Sequence, residues 1–270
     1  MSGAGNGNFR GVLMDGVSAG YGGKRVLSGI SARFPAGSLA CLLGPNGSGK
    51  STMLRLLGGA LPFSGEVSIN GQSLRQLPAS RRGRLVGVVS QSPAMLFPFT
   101  VEEVILLGRL PHRTLLSGWT REDRERAASA AHEMELGSLL FRKVSSLSGG
   151  EKQRALIAQV IAQRPEVFLL DEPSSALDPR HTLRLFRFLR RCAGEGKTVI
   201  VAVHDINLAA EFADIVCFLK GGSLAAIGCA GETLSEAVLS EVYDVSFSSF
   251  ETGTPCAFGG ERGRKLWRAL

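Results

Sequence analysis

The sequence predicts an α/β fold: a mostly parallel sheet, an N-terminal antiparallel β portion and a helical subdomain. Three observations carry that expectation. Apolar runs such as VFLL at 167–170 and TVIVAV at 198–203 lack polar alternation, the pattern of strands covered on both faces. Helical patterns fall between these runs, so strands and helices alternate. The stretch from about 92 to 147 shows helices and loops without a strand, and reads as a helical insertion.

In chain order, the first eight residues are rich in Gly, Asn and Ser and read as a loose tail. GVLMDGVSAGY, RVLSGISARF and SLACLL, between 9 and 43, are broken by Gly and Pro and predict strands joined by tight turns. GEVSI at 65–69, followed by Asn70 and Gly71, predicts another strand ending in a turn. The runs at 85–90, 167–170, 198–203 and 215–219 predict strands buried on both faces. Helical periodicity marks 51–58, 101–107, 121–134, 151–162, 179–191 and 206–213. After Tyr243 the pattern weakens into a basic tail carrying Arg262, Arg264, Lys265 and Arg268.

Composition bounds the function. In 270 residues, 44% are hydrophobic and 20% charged, which excludes a disordered chain. A net charge of +7 suits a polyanionic partner: phosphates, an acidic membrane face or nucleic acid. Nucleic acid is not expected, because a binding patch would interleave aromatics with its cations, and the chain has two Trp and two Tyr. Five scattered cysteines without CxxC or metal-ligand spacing read as reduced thiols of a cytosolic protein. The opening MSGAGNGNFRG lacks the apolar core of a leader, and no apolar run nears the roughly 18–20 residues of a bilayer span. A soluble chain is expected, with any membrane role exerted through a partner.

The chemistry begins at GPNGSGKST, which comprises Gly44, Pro45, Asn46, Gly47, Ser48, Gly49, Lys50, Ser51 and Thr52. It fits G-x-x-x-x-G-K-[ST] between a predicted strand and a predicted helix. Glycines let backbone N–H groups curl around phosphates, and the helix N-terminus adds its positive dipole end. Lys50 adds a point charge there, and the Ser51 hydroxyl suits Mg²⁺. VFLLDEP at 167–173 delivers two carboxylates to a strand tip. Asp171 is expected to hold Mg²⁺, and Glu172 to polarise an attacking water.

A third motif narrows the class. LSGGEKQR at 147–154 brings Leu147, Ser148, Gly149, Gly150 and Glu151 to a helix start, with Ser148 23 residues before Asp171. With this motif the chain, over about 9–245, resembles the ATP-binding cassette (ABC) ATPases. The resemblance implies a P-loop NTPase (RecA-like) core that binds ATP and Mg²⁺ and hydrolyses ATP. It also matches Tyr21 to the aromatic that stacks on adenine and Gln91 to the lid-loop glutamine, which serves both catalysis and the metal. Asp178, closing SALD, matches the D-loop, and His204, 33 residues past Asp171, matches the switch histidine. His112, His132 and His181 share no such pattern and are expected at the surface, as is the Arg81, Arg82, Arg84 cluster.

In this family the signature meets the nucleotide held by a second copy, so the resemblance implies a homodimer. Each ATP would lie between Lys50, Ser51 and Gln91 of one copy and Ser148 and Gly150 of the other. One copy of each motif on a chain without spans implies separate partners: two integral membrane permease subunits and a periplasmic or extracellular substrate-binding protein. The expected location is the cytoplasmic face of the cell membrane. Gln91 and Leu147 lie 56 residues apart, too close for the long coiled coil of chromosome-maintenance relatives. FPFTVEEVILLGRLPHR at 97–113 is similar to ATPases of metal-chelate importers, and FPFTV especially to haem importers. Ferric siderophore is the first expected cargo, with haem and cobalamin next. A soluble assembly or regulatory ABC ATPase and an exporter subunit stand as alternatives. The expected division is a cassette over 9–245, its helical subdomain at about 92–150, and a tail of open role over 246–270.

Overall fold

The computed structural model describes residues 9–90, 99–113, 118–255 and 263–270. The loose tail expected at 1–8 lies outside them. An antiparallel sheet is built from β1 (Gly11–Tyr21), β2 (Lys24–Pro35), β4 (Phe63–Ile69) and β5 (Gln72–Ser73), in the order β2-β1-β4-β5. Asn70 and Gly71 take positive φ of 49° and 76° and turn β4 into β5, as the Asn-Gly pair predicts.

The second sheet has six strands. β3 (Leu39–Leu43), β6 (Val86–Val89), β7 (Val167–Asp171), β8 (Thr198–Ala202), β9 (Ile215–Lys220) and β10 (Ser223–Cys229) lie in the order β10-β9-β3-β8-β7-β6. All neighbours are parallel except β9 and β10. The continuous apolar runs follow from two cores, one on each face. Leu39, Cys41 and Leu43 point into one, with Phe168, Leu170, Val199 and Val201; Ala40, Leu42, Leu169, Ile200 and Ala202 point into the other. Strand β6 departs from the expectation of burial on both faces. It is the edge strand, shorter than 85–90, and Val88 is 37% exposed.

Helices connect the strands: α1 (Lys50–Leu57), α2 (Ala79–Leu85), α3 (Val101–Leu107), α4 (Arg121–Glu133), α5 (Gly149–Gln163), α6 (Pro179–Gly194), α7 (Ile206–Phe212), α8 (Ala230–Thr233) and α9 (Glu236–Tyr243). The apolar sides of α3, α4 and α5 meet through Val104, Ala127, Ala130, Ala155 and Ala158, all buried. Thr100 and Thr120 cap α3 and α4, each in a reciprocal capping box. Between them, the Arg109 guanidinium donates to Asp123 at 3.0 Å and to the Ala162 carbonyl at 2.9 Å. That ion pair is buried, and removing one partner would cost about 3–5 kcal/mol.

Strand β10 and helices α2, α8 and α9 are not among the elements expected from the sequence; α8 has only four residues and α2 buries none of its own. The C-terminal tail is also more ordered than its pattern suggests. β11 (Phe247–Pro255) and β12 (Gly263–Ala269) form an antiparallel hairpin, and Trp267 is buried beside α7. None of the described helices is long and apolar enough to cross a membrane.

Candidate nucleotide site

Three strand ends build the site. β3 and β8 pair from Leu39 opposite Val199 to Leu42 opposite Ala202, and Asp171 of β7 also lies opposite Ala202. The loop after β3, the acidic step after β7 and His204 after β8 therefore emerge on one edge. Ligands bind open α/β sheets at this carboxyl edge.

Backbone geometry explains the loop's glycines. Gly44 has φ 140°, and a Cβ there would stand 2.1 Å from the Leu219 carbonyl oxygen. Gly49 hands the chain to α1 with φ 109°, which leaves the first N–H groups of α1 open to an anion. Lys50 is buried, and its ammonium donates to the carbonyls of Gly44 at 2.7 Å and Pro45 at 3.2 Å. Burial pushes its pKa below the usual lysine value, against the pull of Glu172 and Asp171. Val26, Asn46, Gly47, Ser51 and Glu172 help line a cleft of about 320 Å³ around it. A larger cavity of about 540 Å³ lies between β1, β2 and β10, lined by Leu13, Ile215 and Ile227. Among the described residues its only charged lining residues are Asp15 and Arg33, so chemistry rather than size marks the loop cleft as the site.

The acidic step stands against the loop. The Ser51 hydroxyl donates to Asp171 Oδ1 at 3.0 Å, and burial raises the Asp171 pKa despite that bond. Glu172 leaves the strand with φ 49°, rare for a residue with a Cβ, and its carboxylate bonds Nε2 of His204. The strand thus ends at Asp171 and the turn re-aims Glu172 toward His204. Among the described residues no group of three or more His, Cys, Asp or Glu could hold a metal. A hydroxyl and one carboxylate are hard oxygen donors, and Mg²⁺ beside a nucleotide commonly takes its other ligands from phosphate and water. The pair fits that ion.

The signature lies apart from this cleft. Ser148 caps α5: its hydroxyl accepts from Glu151 N–H at 3.3 Å and pairs with Glu151 Oε2 at 2.8 Å. Helix α5 therefore begins at Gly149, two residues before its expected start, because the cap lies at Ser148. The Ser148 bonds hold the Glu151 carboxyl below its usual pKa. Leu147 is buried, and a Cβ on Gly150 would meet the Ala176 carbonyl oxygen at 2.8 Å. No signature residue lines the phosphate-loop cleft among the described residues.

Residues 27–175 match the family described as ABC transporter. A hemin import ATP-binding protein HmuV from Streptomyces coelicolor is 40% identical over 232 residues, 85% of this chain and 81% of that one. The chain belongs to the ABC transporter family. A HmuV from Rhodopseudomonas palustris strain BisB18 is 38% identical over 256 residues, covering 88% and 91% of the two chains. In fold, this ABC ATPase is similar to a metal-chelate type ABC transporter in an inward-facing conformation, with TM-score 0.81, 24% identity and 97% of each chain covered. A dimeric structure of the cassette MJ0796 gives TM-score 0.74 at 31% identity, covering 81% of this chain and 98% of that one. The protein is accordingly an ATP-hydrolysing transporter subunit.

The remaining expected site residues of the ABC ATPase fall as follows. Tyr21 ends β1 as an exposed residue, and its hydroxyl accepts from Arg55 of α1 at 3.3 Å. Asp178 caps α6 by accepting from His181 N–H at 2.8 Å. His181 lies half-buried at the surface, its ring nitrogens meeting the carboxylates of Asp178 at 2.8 Å and Glu135 at 3.4 Å. His112 and His132 are exposed as expected. Gln91 lies outside the described residues, as do Phe97 and Pro98 of FPFTV. Three residues escaped the sequence reading. Tyr243 accepts the Gly44 N–H at 3.0 Å, while Asp205 and Asn207 organise the start of α7 after His204. Tyr243 is one of only two tyrosines, but nothing local marks a contact made across 199 residues.

Proposed function

We propose that this chain powers import of a metal chelate, with haem ahead of ferric siderophore and cobalamin. It works as a homodimer at the cytoplasmic face of the cell membrane, beneath two permease subunits fed by a substrate-binding protein. Similarity to proteins named hemin import ATP-binding protein, at 40% and 38% identity, supports the direction of transport and moves haem ahead of siderophore.

The observation that carries the mechanism is the separation of the signature from the phosphate-loop cleft within one chain. A complete site then needs the Ser148 and Gly150 face of a second copy. In this reading the 44–52 loop and Lys50 grip the β- and γ-phosphates, Tyr21 stacks on the adenine, and Ser51, Asp171 and Gln91 hold Mg²⁺. When bound there, Mg²⁺ would supply positive charge to offset that of the phosphates. The Glu172 carboxylate orients a water and draws its proton as oxygen attacks the γ-phosphorus. The bond to the bridging oxygen breaks and ADP leaves. His204 keeps Glu172 in line, and Leu147, Gly149, Glu151 and Asp178 shape the facing copy's contribution. Closure on two ATPs and reopening after hydrolysis drive the permease.

ATPase activity of the complex, reconstituted with its permease and binding protein, tests the cargo. Haem should stimulate turnover more than ferric siderophores or cobalamin. Stimulation by a siderophore alone would overturn the haem assignment, and indifference to every chelate would overturn import.

A further inference from the structure

Two sets of bonds tie the C-terminal segment to two separate parts of the site. The first involves Tyr243, the last residue of α9, whose hydroxyl accepts the Gly44 N–H at 3.0 Å in a half-buried bond. The carbonyl of that same Gly44 takes the Lys50 ammonium at 2.7 Å. Gly44 is therefore held by Tyr243 on its donor side and by Lys50 on its acceptor side, with Leu219 behind it. The ring of Tyr243 packs on Phe247 of β11, centroids 5.8 Å apart. Lys220 of β9 anchors the end of α9 by donating to the Glu241 carbonyl at 2.6 Å and to Asp244 at 2.7 Å.

The second set lies in the first turn of α7, three residues past His204. The Asn207 amide donates to the Trp267 carbonyl at 3.2 Å and accepts the Trp267 N–H at 2.7 Å. Asp205 caps the same turn, accepting from the N–H groups of Asn207 at 2.8 Å and Leu208 at 3.1 Å. Trp267 is on β12, which pairs with β11 with Ser249 opposite Trp267 and Phe247 opposite Ala269. One hairpin thus reaches the phosphate loop through Phe247 and Tyr243, and the switch-histidine turn through Trp267 and Asn207.

We infer that α9 and the β11–β12 hairpin form a strut between the phosphate loop and the switch-histidine turn, with Tyr243 and Asn207 as positioning residues. Tyr243 acts on nucleotide binding, because it fixes the peptide on which Lys50 rests. Asn207 acts on turnover, because it fixes the helix that begins beside His204. A packing element alone would have no reason to divide its effects this way. The inference rests on the roles proposed above for Lys50 and His204.

Nucleotide affinity, from a fluorescent ATP analogue, and steady-state ATPase kinetics of the full chain separate the two arms. Tyr243→Phe should raise Kd and KM for ATP roughly three- to ten-fold, as loss of one ordinary hydrogen bond does, with kcat nearly unchanged. Asn207→Ala should lower kcat by a similar factor with Kd unchanged. Asn207→Asp keeps an acceptor for the Trp267 N–H and should recover part of that turnover. Lys50→Ala and His204→Ala serve as references. If these references lose function while Tyr243→Phe and Asn207→Ala change only Tm, or lower affinity and kcat together, the strut is wrong. If the references retain both binding and turnover, the site reading beneath the strut falls instead.

Discussion

The two faces proposed to meet across the nucleotide are made in opposite ways. The phosphate-loop face is assembled over long stretches of sequence: Ser51 reaches Asp171 across 120 residues and Glu172 reaches His204 across 32. Lys50 and Asp171 are buried and Glu172 half-buried, with His204 exposed at the rim, and the two carboxylates are each held by a distant part of the chain. The signature face is local and exposed, because Ser148 and Glu151 satisfy each other three residues apart. One face depends on the whole cassette for its shape. The other is a capped helix start that can be presented outward before any nucleotide arrives. On the proposed mechanism, the more buried half holds the nucleotide and the exposed half is the one offered to a second copy.

The sharpest way to break this contrast is to remove chemistry from the buried face while keeping its shape. Glu172→Gln keeps size and hydrogen bonding but loses the base. ATP binding should persist while turnover falls by about 10²–10⁴, the range for a general base, and an ATP-bound dimer should accumulate on size-exclusion chromatography. Rapid hydrolysis by this variant would remove Glu172 from the chemistry. On the exposed face, Ser148→Ala should leave nucleotide binding by the monomer intact while hydrolysis, which on the proposed mechanism uses the partner's signature, is lost. The helix itself should lose only about 1 kcal/mol, the usual worth of an N-cap. Collapse of monomer binding in Ser148→Ala would place the signature within its own chain's site and dissolve the contrast.

What the sequence made legible follows the same division of local and distant. The apolar runs of β3, β7 and β8 and the GPNGSGKST, LSGGE and DE strings are local patterns, and the fold brings the first and last of these to one sheet edge. The His204 contact with Glu172 was expected only through family resemblance, since a lone histidine after a strand carries no chemistry of its own. Contacts made by single residues at long range left no trace. Tyr243 on Gly44 and Asn207 on Trp267 need the tertiary structure to be seen, and the Arg109–Asp123 pair looks like any two surface charges in a helical stretch. The hairpin strand GRKLWRA reads as a basic tail because its buried anchor, Trp267, sits among Arg264, Lys265 and Arg268. Edge position likewise cannot be read from VGVV, whose residues suit either a central or an outer strand.

The smallest effect is also the most direct comparison of the faces, because their carboxylates shift in opposite directions. Burial lifts the Asp171 pKa above its ordinary 3.8, so the folded state carries that charge at a cost once the pH exceeds 3.8. The Ser148 bonds depress Glu151 below its ordinary 4.5, so its contribution to stability is present above 4.5 and is lost as the pH falls through the lowered value. Neutral replacements should therefore move Tm in opposite senses at pH 7. Asp171→Asn, whose side-chain oxygen can still accept from Ser51, should raise Tm; Glu151→Gln should lower it slightly. Both differences should shrink toward zero as the pH falls below the carboxylate range, where the wild-type groups are themselves protonated. A gain in stability from losing Asp171, coupled to lost hydrolysis, would mean that the buried face is strained for function. A fall in Tm with both variants would mean that the two faces are held by charge in the same way, and the contrast drawn from their burial would not stand.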